Sequence, residues 1–205
     1  MKKNNTKKDR KETGNSFKRE ELLKITTKYF YEQGYDNTST RDIAKASGLS
    51  IAGLYYYFKN KESILFNIID KSVENLYKSL IDATNSEDSP KTNLSRIIEK
   101  VFKEVIESHM EIGLLFKEDH RLTQKHLKLI NKKRRMCLEI VKREIARLKE
   151  TGELKPSLNI TSTAFSLIAM TNWPHFWYDP NRSITIEELS NEIKEIFFDG
   201  ILIRS

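Results

Sequence analysis

The chain has 205 residues, 32% charged and 38% hydrophobic, which is enough to bury a real core in one or two domains. A formal net charge of +7 favours acidic partners, and a single cysteine, Cys137, excludes an intramolecular disulfide and fits a reducing cytosol. Gly-rich phosphate loops, nucleophile elbows and close His/Cys pairs are missing, which argues against an enzyme and against a metal site.

Residues 1–18 form a basic tail, expected to be disordered alone and drawn to phosphates beside a DNA-binding unit, or else merely solubilising. Over residues 1–19, eight Lys and Arg stand against two acids, nearly the whole excess charge of the chain. The N-terminus lacks an apolar run, so no signal peptide is expected. A first helix is predicted over residues 18–33, with Leu22, Ile25, Tyr29 and Phe30 on one face and Gly34 as its C-terminal cap.

Residues 38–64, TSTRDIAKASGLSIAGLYYYFKNKESI, read as two short helices and a tight turn leading into a long helix. Ser39 or Thr40 can cap the first and Ser50 the second, each hydroxyl accepting from a free amide. Ala44 permits a close helix crossing, Gly48 suits a chain reversal at positive φ, and Ile43, Leu49, Leu54 and Phe58 supply a small core. This is a helix-turn-helix, a unit whose second helix enters a DNA major groove.

Lys61 opens a long helix whose apolar residues, from Ile64 to Ile81, keep helical spacing for about 30 Å. Such a helix can run from a DNA-reading unit into a second domain. A polar break at 85–91 precedes a helix with Leu94, Ile97, Ile98, Val101, Phe102 and Val105 on one stripe. A shorter element is predicted over 113–121 and a long basic helix over 124–151, stopped by Gly152. Residues 160–178 carry no charge, but Thr161, Asn172 and His175 make a buried helix a better reading than a membrane span. Pro174 is expected to kink it. A last helix is predicted over 186–203. The fold class is all-α, divided into the tail 1–18, a three-helix DNA-binding domain 19–62 and a ligand-binding and dimerisation domain 63–205.

Residues 19–65 resemble the DNA-binding domain of the TetR family of bacterial transcriptional regulators, through YFYEQGYDNTST, RDIAKASGLS and GLYYYFKNKESIL. The resemblance implies a cytoplasmic homodimer, off the membrane, reading a palindromic double-stranded operator and answering to a small-molecule effector. Matched residue by residue, Ser50, Ile51, Ala52 and Gly53 begin the recognition helix, with the last three facing base edges. Thr40, Arg41, Tyr55, Tyr56 and Lys61 would meet phosphates. Tyr57 stands where the motif commonly has histidine, so a contact made by that histidine does not transfer.

The last two helices would pair with those of a partner subunit through Ile193, Phe197, Gly200 and Ile201. The C-terminal half, with its Asn172-Trp173 and Trp177-Tyr178-x-Pro180, resembles the branch that responds to acyl-coenzyme A thioesters, although Asp179 and Asn181 depart from its pattern. That likeness implies a repressor released by an effector such as a long-chain acyl-CoA, with no permanent cofactor. Phe102, Phe116, Phe165, Met170, Trp173 and Trp177 would line its pocket, and Arg134 and Arg135 would meet its phosphates. The bland alternatives are a solvated Lys/Arg face and core tryptophans. Two competing functions stay open: a multidrug-type sensor repressing an efflux pump, and an effector-independent DNA-coating protein.

Overall fold

The computed structural model describes residues 5–179 and 184–203. Its helices are α1 (Asn5–Gln33), α2 (Thr40–Ala46), α3 (Ile51–Tyr57), α4 (Lys61–Asp82), α5 (Pro90–Glu107), α6 (His109–Lys117), α7 (Gln124–Glu150), α8 (Ile160–Asn172) and α9 (Ile186–Ile201). Two 3-10 turns, Asp119–Arg121 and Trp173–Phe176, follow α6 and α8. The described residues hold no strand beyond one isolated bridge between Leu154 and Leu202, so the chain is all-α as the spacing predicts.

Two compact units are formed, one by Met1–Lys71 with Gly113–Leu127 and the other by Ser72–Ile112 with Lys128–Ser205. The division falls within α4, a single continuous helix, and the segment Gly113–Leu127 belongs to the first unit.

In the first unit α1 starts well before residue 18, and the contacts expected of the tail up to Lys11 concern side chains outside those described. Leu22, Phe30, Ile43, Leu54, Ile64 and Leu65 are wholly buried together with the apolar half of α2 and α3. Gly34, at φ 87°, ends α1 by donating its amide to the Phe30 carbonyl at 3.1 Å. Gly113–Leu127 is fastened on by polar contacts within the unit. Glu62 Oε1 accepts from the Thr123 amide at 2.9 Å and lies 2.8 Å from His126 Nδ1. The His126 ring stacks on Phe66 at 3.9 Å, and Arg121 pairs with Asp36.

The second unit is built around α5, whose stripe from Leu94 to Val105 is buried against α8 and α9. Ser89 caps α5 and Pro90 begins it, where a missing N–H costs nothing. α7 ends at Gly152, at φ 76°. Pro174 follows the end of α8 instead of kinking a longer helix: Trp173 keeps right-handed helical dihedrals (φ −59°, ψ −34°), but Pro174 has no N–H to donate to the preceding turn, and the chain tightens into the 3-10 turn. Lys155 Nζ donates to the Asp199 and Gly200 carbonyls at 2.9 and 2.8 Å, tying off the end of α9.

Cys137 is buried on α7, and burial pushes its thiol from the ordinary 9.0 up to about 11. The folded pKa exceeds the unfolded one, so the stability this creates is complete below pH 9.0 and is lost as pH rises through about 11. Urea unfolding of wild type and Cys137→Ala across that window is expected to show a steeper loss in the wild type.

Candidate nucleic-acid interface

α2 and α3 are too short to persist alone, and side chains at their ends hold them. Ser39 and Asp42 form a capping box on α2: the Ser39 hydroxyl accepts from the Asp42 amide at 3.2 Å, and Asp42 Oδ2 accepts from the Ser39 amide at 2.9 Å. These hydrogen bonds to Ser39 hold the Asp42 carboxyl below its usual range. Gly48, at φ 67°, reverses the chain, and the Leu49 amide donates to the Ala44 carbonyl at 2.9 Å. Ser50 Oγ then accepts from the Gly53 amide at 3.1 Å to start α3. Asn60 and Ser63 do the same reciprocal service for α4, at 2.8 and 3.2 Å.

With Leu54 and Phe58 drawn into the core, the opposite face of α3 is left to solvent. Ile51 is 42% exposed, Tyr55 47% and Tyr56 74%, and Ala52 lies open beside them. Ser50 is exposed, while Gly53 lies half-buried beneath its hydroxyl. Arg41 is exposed at the start of α2, and the half-buried Thr40 has its hydroxyl 3.5 Å from that of Tyr55. Tyr57 turns partly inward, edge-on to Tyr56 with ring centroids 5.1 Å apart.

Lys61 sits differently from a free phosphate ligand. Its ammonium lies 4.1 Å from the Tyr35 ring centroid and 5.9 Å from that of Phe30, and burial lowers its pKa. Two further exposed cations, Lys45 on α2 and Lys59 in the FKNK loop after α3, are not among the residues matched from the sequence. Their place one turn or less from matched residues was the available signal.

In the second unit the expected effector and dimer residues sort by burial. Phe102 is wholly buried, and Met170 packs partly against the same core. Phe165, Trp173 and Trp177 are 54%, 64% and 48% exposed, so they form surface and do not line an enclosed pocket. Helix 160–172 carries no charge on any side and mixes small polar with apolar residues, which hides from the sequence which side faces in. Arg134 is half-buried with Nη1 3.2 Å from Asn131 Oδ1, and Arg135 is exposed. Phe116, 43% exposed, belongs to the first unit. Phe197 and Ile201 are buried in this subunit's own core and Ile193 packs against it, whereas Gly200 is open. The outward apolar residues of this end are instead Ile196 and Ile203, 60% and 51% exposed. Asn181 lies outside the described residues.

An all-helical chain presenting a capped, solvent-facing helix-turn-helix defines a DNA-binding regulator. Residues 22–68 match the family of bacterial regulatory proteins described as tetR family, and residues 87–201 match the tetracyclin repressor-like C-terminal domain. The chain belongs to the TetR family of transcriptional regulators. It is 24% identical over 191 residues to the transcriptional repressor KstR2 of Rhodococcus jostii, spanning 92% of this chain and 93% of that one. It is also 24% identical over 187 residues to the fatty acid metabolism regulator protein of Bacillus subtilis, spanning 88% and 94%. Among solved structures, AibR in complex with isovaleryl coenzyme A and operator DNA superposes with a TM-score of 0.80 at 22% identity, covering 88% of this chain and 98% of AibR. That last likeness is one of fold. No helix among the described residues is long and apolar enough to cross a membrane.

Proposed function

We propose that this protein is a cytoplasmic, homodimeric repressor that leaves a palindromic operator when a long-chain acyl-CoA binds. The DNA-reading half rests on one observation, the exposed face of α3 with Ile51, Ala52, Tyr55 and Tyr56 beside Arg41. Residues 19–62 read the operator, and 63–205 bind effector and partner. The basic tail 1–18 adds affinity through phosphates. Apolar Ile51 and Ala52 offer thymine-methyl contacts and little hydrogen bonding, so sequence-dependent DNA shape carries much of the specificity.

The dimer surface is taken to be the outward side of α8 and α9. Ser162, Phe165, Ser166 and Ala169 of α8, with Trp173 of the turn that follows, make an uncharged exposed face, and Ile196, Gly200 and Ile203 are exposed at the C-terminal end. Gly200 has open space where a Cβ would stand, which suits close approach of a partner helix. Effector binding is supported by the Bacillus subtilis relative named for fatty-acid metabolism and by AibR, whose structure holds isovaleryl coenzyme A. The acyl chain would enter the second unit near Phe102 and Met170, with Trp173 and Trp177 at the mouth. Release requires the effector to bind the DNA-free conformer more tightly than the DNA-bound one.

A second effector class has one observation behind it. Burial raises the pKa of Glu104, a half-buried carboxyl on α5, and such a group suits lipophilic cations in a multidrug-type sensor. Fluorescence anisotropy of the full chain on its own upstream DNA tests both. Loss of binding with palmitoyl-CoA, but not with free coenzyme A or palmitate, is the expected result. Release by lipophilic cations alone would overturn the acyl-CoA effector and leave the repressor.

A further inference from the structure

Arg19, in the first half of α1, is half-buried, and its guanidinium lies 5.1 Å from the centroid of the Phe58 ring. Its Nη2 donates to Asn67 Oδ1, 48 residues further on in α4. The Asn67 amide is aimed by its other end, where Nδ2 donates to the Ser63 carbonyl at 2.6 Å. The neighbours of Arg19 point to the same helices. Lys18 Nζ donates to the Ser47 carbonyl at the end of α2 at 3.4 Å, and Glu20 pairs with Lys71 of α4 at 3.0 Å. Three successive residues of α1 therefore tie together the ends of α2 and α3 and the flank of α4.

Phe58 is where the recognition helix stops. It is the C-cap of α3, buried, with extended backbone at φ −139° and ψ 129°, and its amide donates to the Leu54 carbonyl at 3.1 Å. α3 has seven residues, of which only Leu54 is buried, so the tilt of the helix is set mainly at its two ends. Ser50 holds the first end through the Gly53 amide. Arg19 holds the second, resting on Phe58 while it grips α4 through Asn67. A guanidinium suits this double task, because its flat face lies on an aromatic ring while its edge keeps donors for an acceptor. Lysine offers a point charge on a flexible stem and cannot fill both places.

We infer that Arg19 is a positioning residue for operator reading: it locks the corner between α3 and α4, and so fixes the angle at which Ile51, Ala52 and Tyr56 meet the groove. The inference rests on the DNA-reading face proposed on α3. It sets Arg19 apart from a phosphate ligand of the N-terminal basic run, since its guanidinium is engaged inside the unit. Water can replace either partner of the half-exposed Arg19–Asn67 contact, so losing it costs little folding stability.

Anisotropy titrations with upstream operator DNA and with a scrambled duplex of equal length, at several salt concentrations, test this on wild type, Arg19→Ala, Arg19→Lys and Asn67→Ala. Arg19→Ala is expected to lose about tenfold in operator affinity, while affinity for the scrambled duplex, the salt slope and the melting temperature stay those of wild type. Arg19→Lys should lose nearly as much. Asn67→Ala should show a similar loss that does not add to that of Arg19→Ala in the double variant. An equal loss on both duplexes, with the salt slope lower by about one per half-site, would make Arg19 a phosphate ligand and overturn the inference. Full recovery in Arg19→Lys, or a loss of affinity that tracks a fall in melting temperature, would overturn it too. Tyr56→Ala runs beside these variants: if it weakens operator binding and Arg19→Ala does not, the α3 face stands and the positioning role falls. A wild type that does not prefer the operator to the scrambled duplex would overturn both.

Discussion

Replacing Glu144 with alanine is expected to lower the unfolding free energy by about 3 kcal/mol, the low end of what removing one member of a buried ionic network costs. Glu144 is 1% exposed on α7. Its Oε2 accepts from Asn93 Nδ2 at 2.9 Å and from Arg147 Nη1 at 2.6 Å, and its Oε1 accepts from Arg143 Nε at 3.2 Å. Asn93, wholly buried on α5, donates also to the Asn85 carbonyl at 2.8 Å and accepts from the Asn85 amide at 3.1 Å. Arg147 reaches across to the Ser86 and Asp88 carbonyls at 3.2 and 2.7 Å. One carboxylate therefore holds α5, α7 and the α4–α5 loop together.

Alanine would leave the Asn93 amide with one donor unmatched and Arg147 without its counter-charge, in a place water reaches poorly. Arg143 is 59% exposed and contributes little, because solvent screens it. Glutamine keeps the volume and one acceptor, so Glu144→Gln should cost less, about 1–2 kcal/mol. Urea unfolding followed by circular dichroism reads both values, at one protein concentration because dimerisation adds to apparent stability. A shift below about 0.5 kcal/mol for alanine, the size of an ordinary surface change, would show the network to be dispensable.

Operator affinity is expected to fall about tenfold in Tyr56→Ala with no loss of folding stability. Tyr56 is 74% exposed and touches Tyr57 edge-on, so its removal leaves the core of the first unit intact. Arg41→Ala should act uniformly across operator sequences and reduce the salt slope of binding by about one per half-site, as a phosphate ligand does. Lys61→Ala should behave differently from both. Its ammonium already rests on Tyr35, so the substitution removes about 0.5–1 kcal/mol of cation–π attraction as well as a charge near the phosphates. Anisotropy titrations at several salt concentrations, paired with thermal melts, separate the three. Unchanged operator affinity in Tyr56→Ala and Arg41→Ala together would move the DNA-binding face off α3.

Local signals were legible wherever neighbours in sequence satisfy one another. Ser39 with Asp42, Ser50 with Gly53, and the glycines at 34, 48 and 152 are determined by hydrogen bonds or φ values inside a few residues, and the helix-turn-helix was readable for that reason. The α5 stripe was readable too, because its apolar residues occupy one side only.

Burial of the later helices was not readable. α8 carries no charge on any side, and α9 has Leu189, Phe197 and Ile201 turned one way and Ile196 another, with Ile203 exposed just past its end. Periodicity states that a stripe exists, and only packing decides which one a subunit uses for itself. Thus Phe197 and Ile201 went inward while Trp173 and Ile196 stayed outside. Long-range polar partners were equally hidden: Asn93 and Glu144 are 51 residues apart, and no local rule couples them. The sequence by itself determined the helices, their caps and the DNA-reading motif, because those follow from backbone hydrogen bonding within a turn. Tertiary structure alone decided which apolar faces meet and where Lys61 points, because those depend on contacts between segments far apart in the chain.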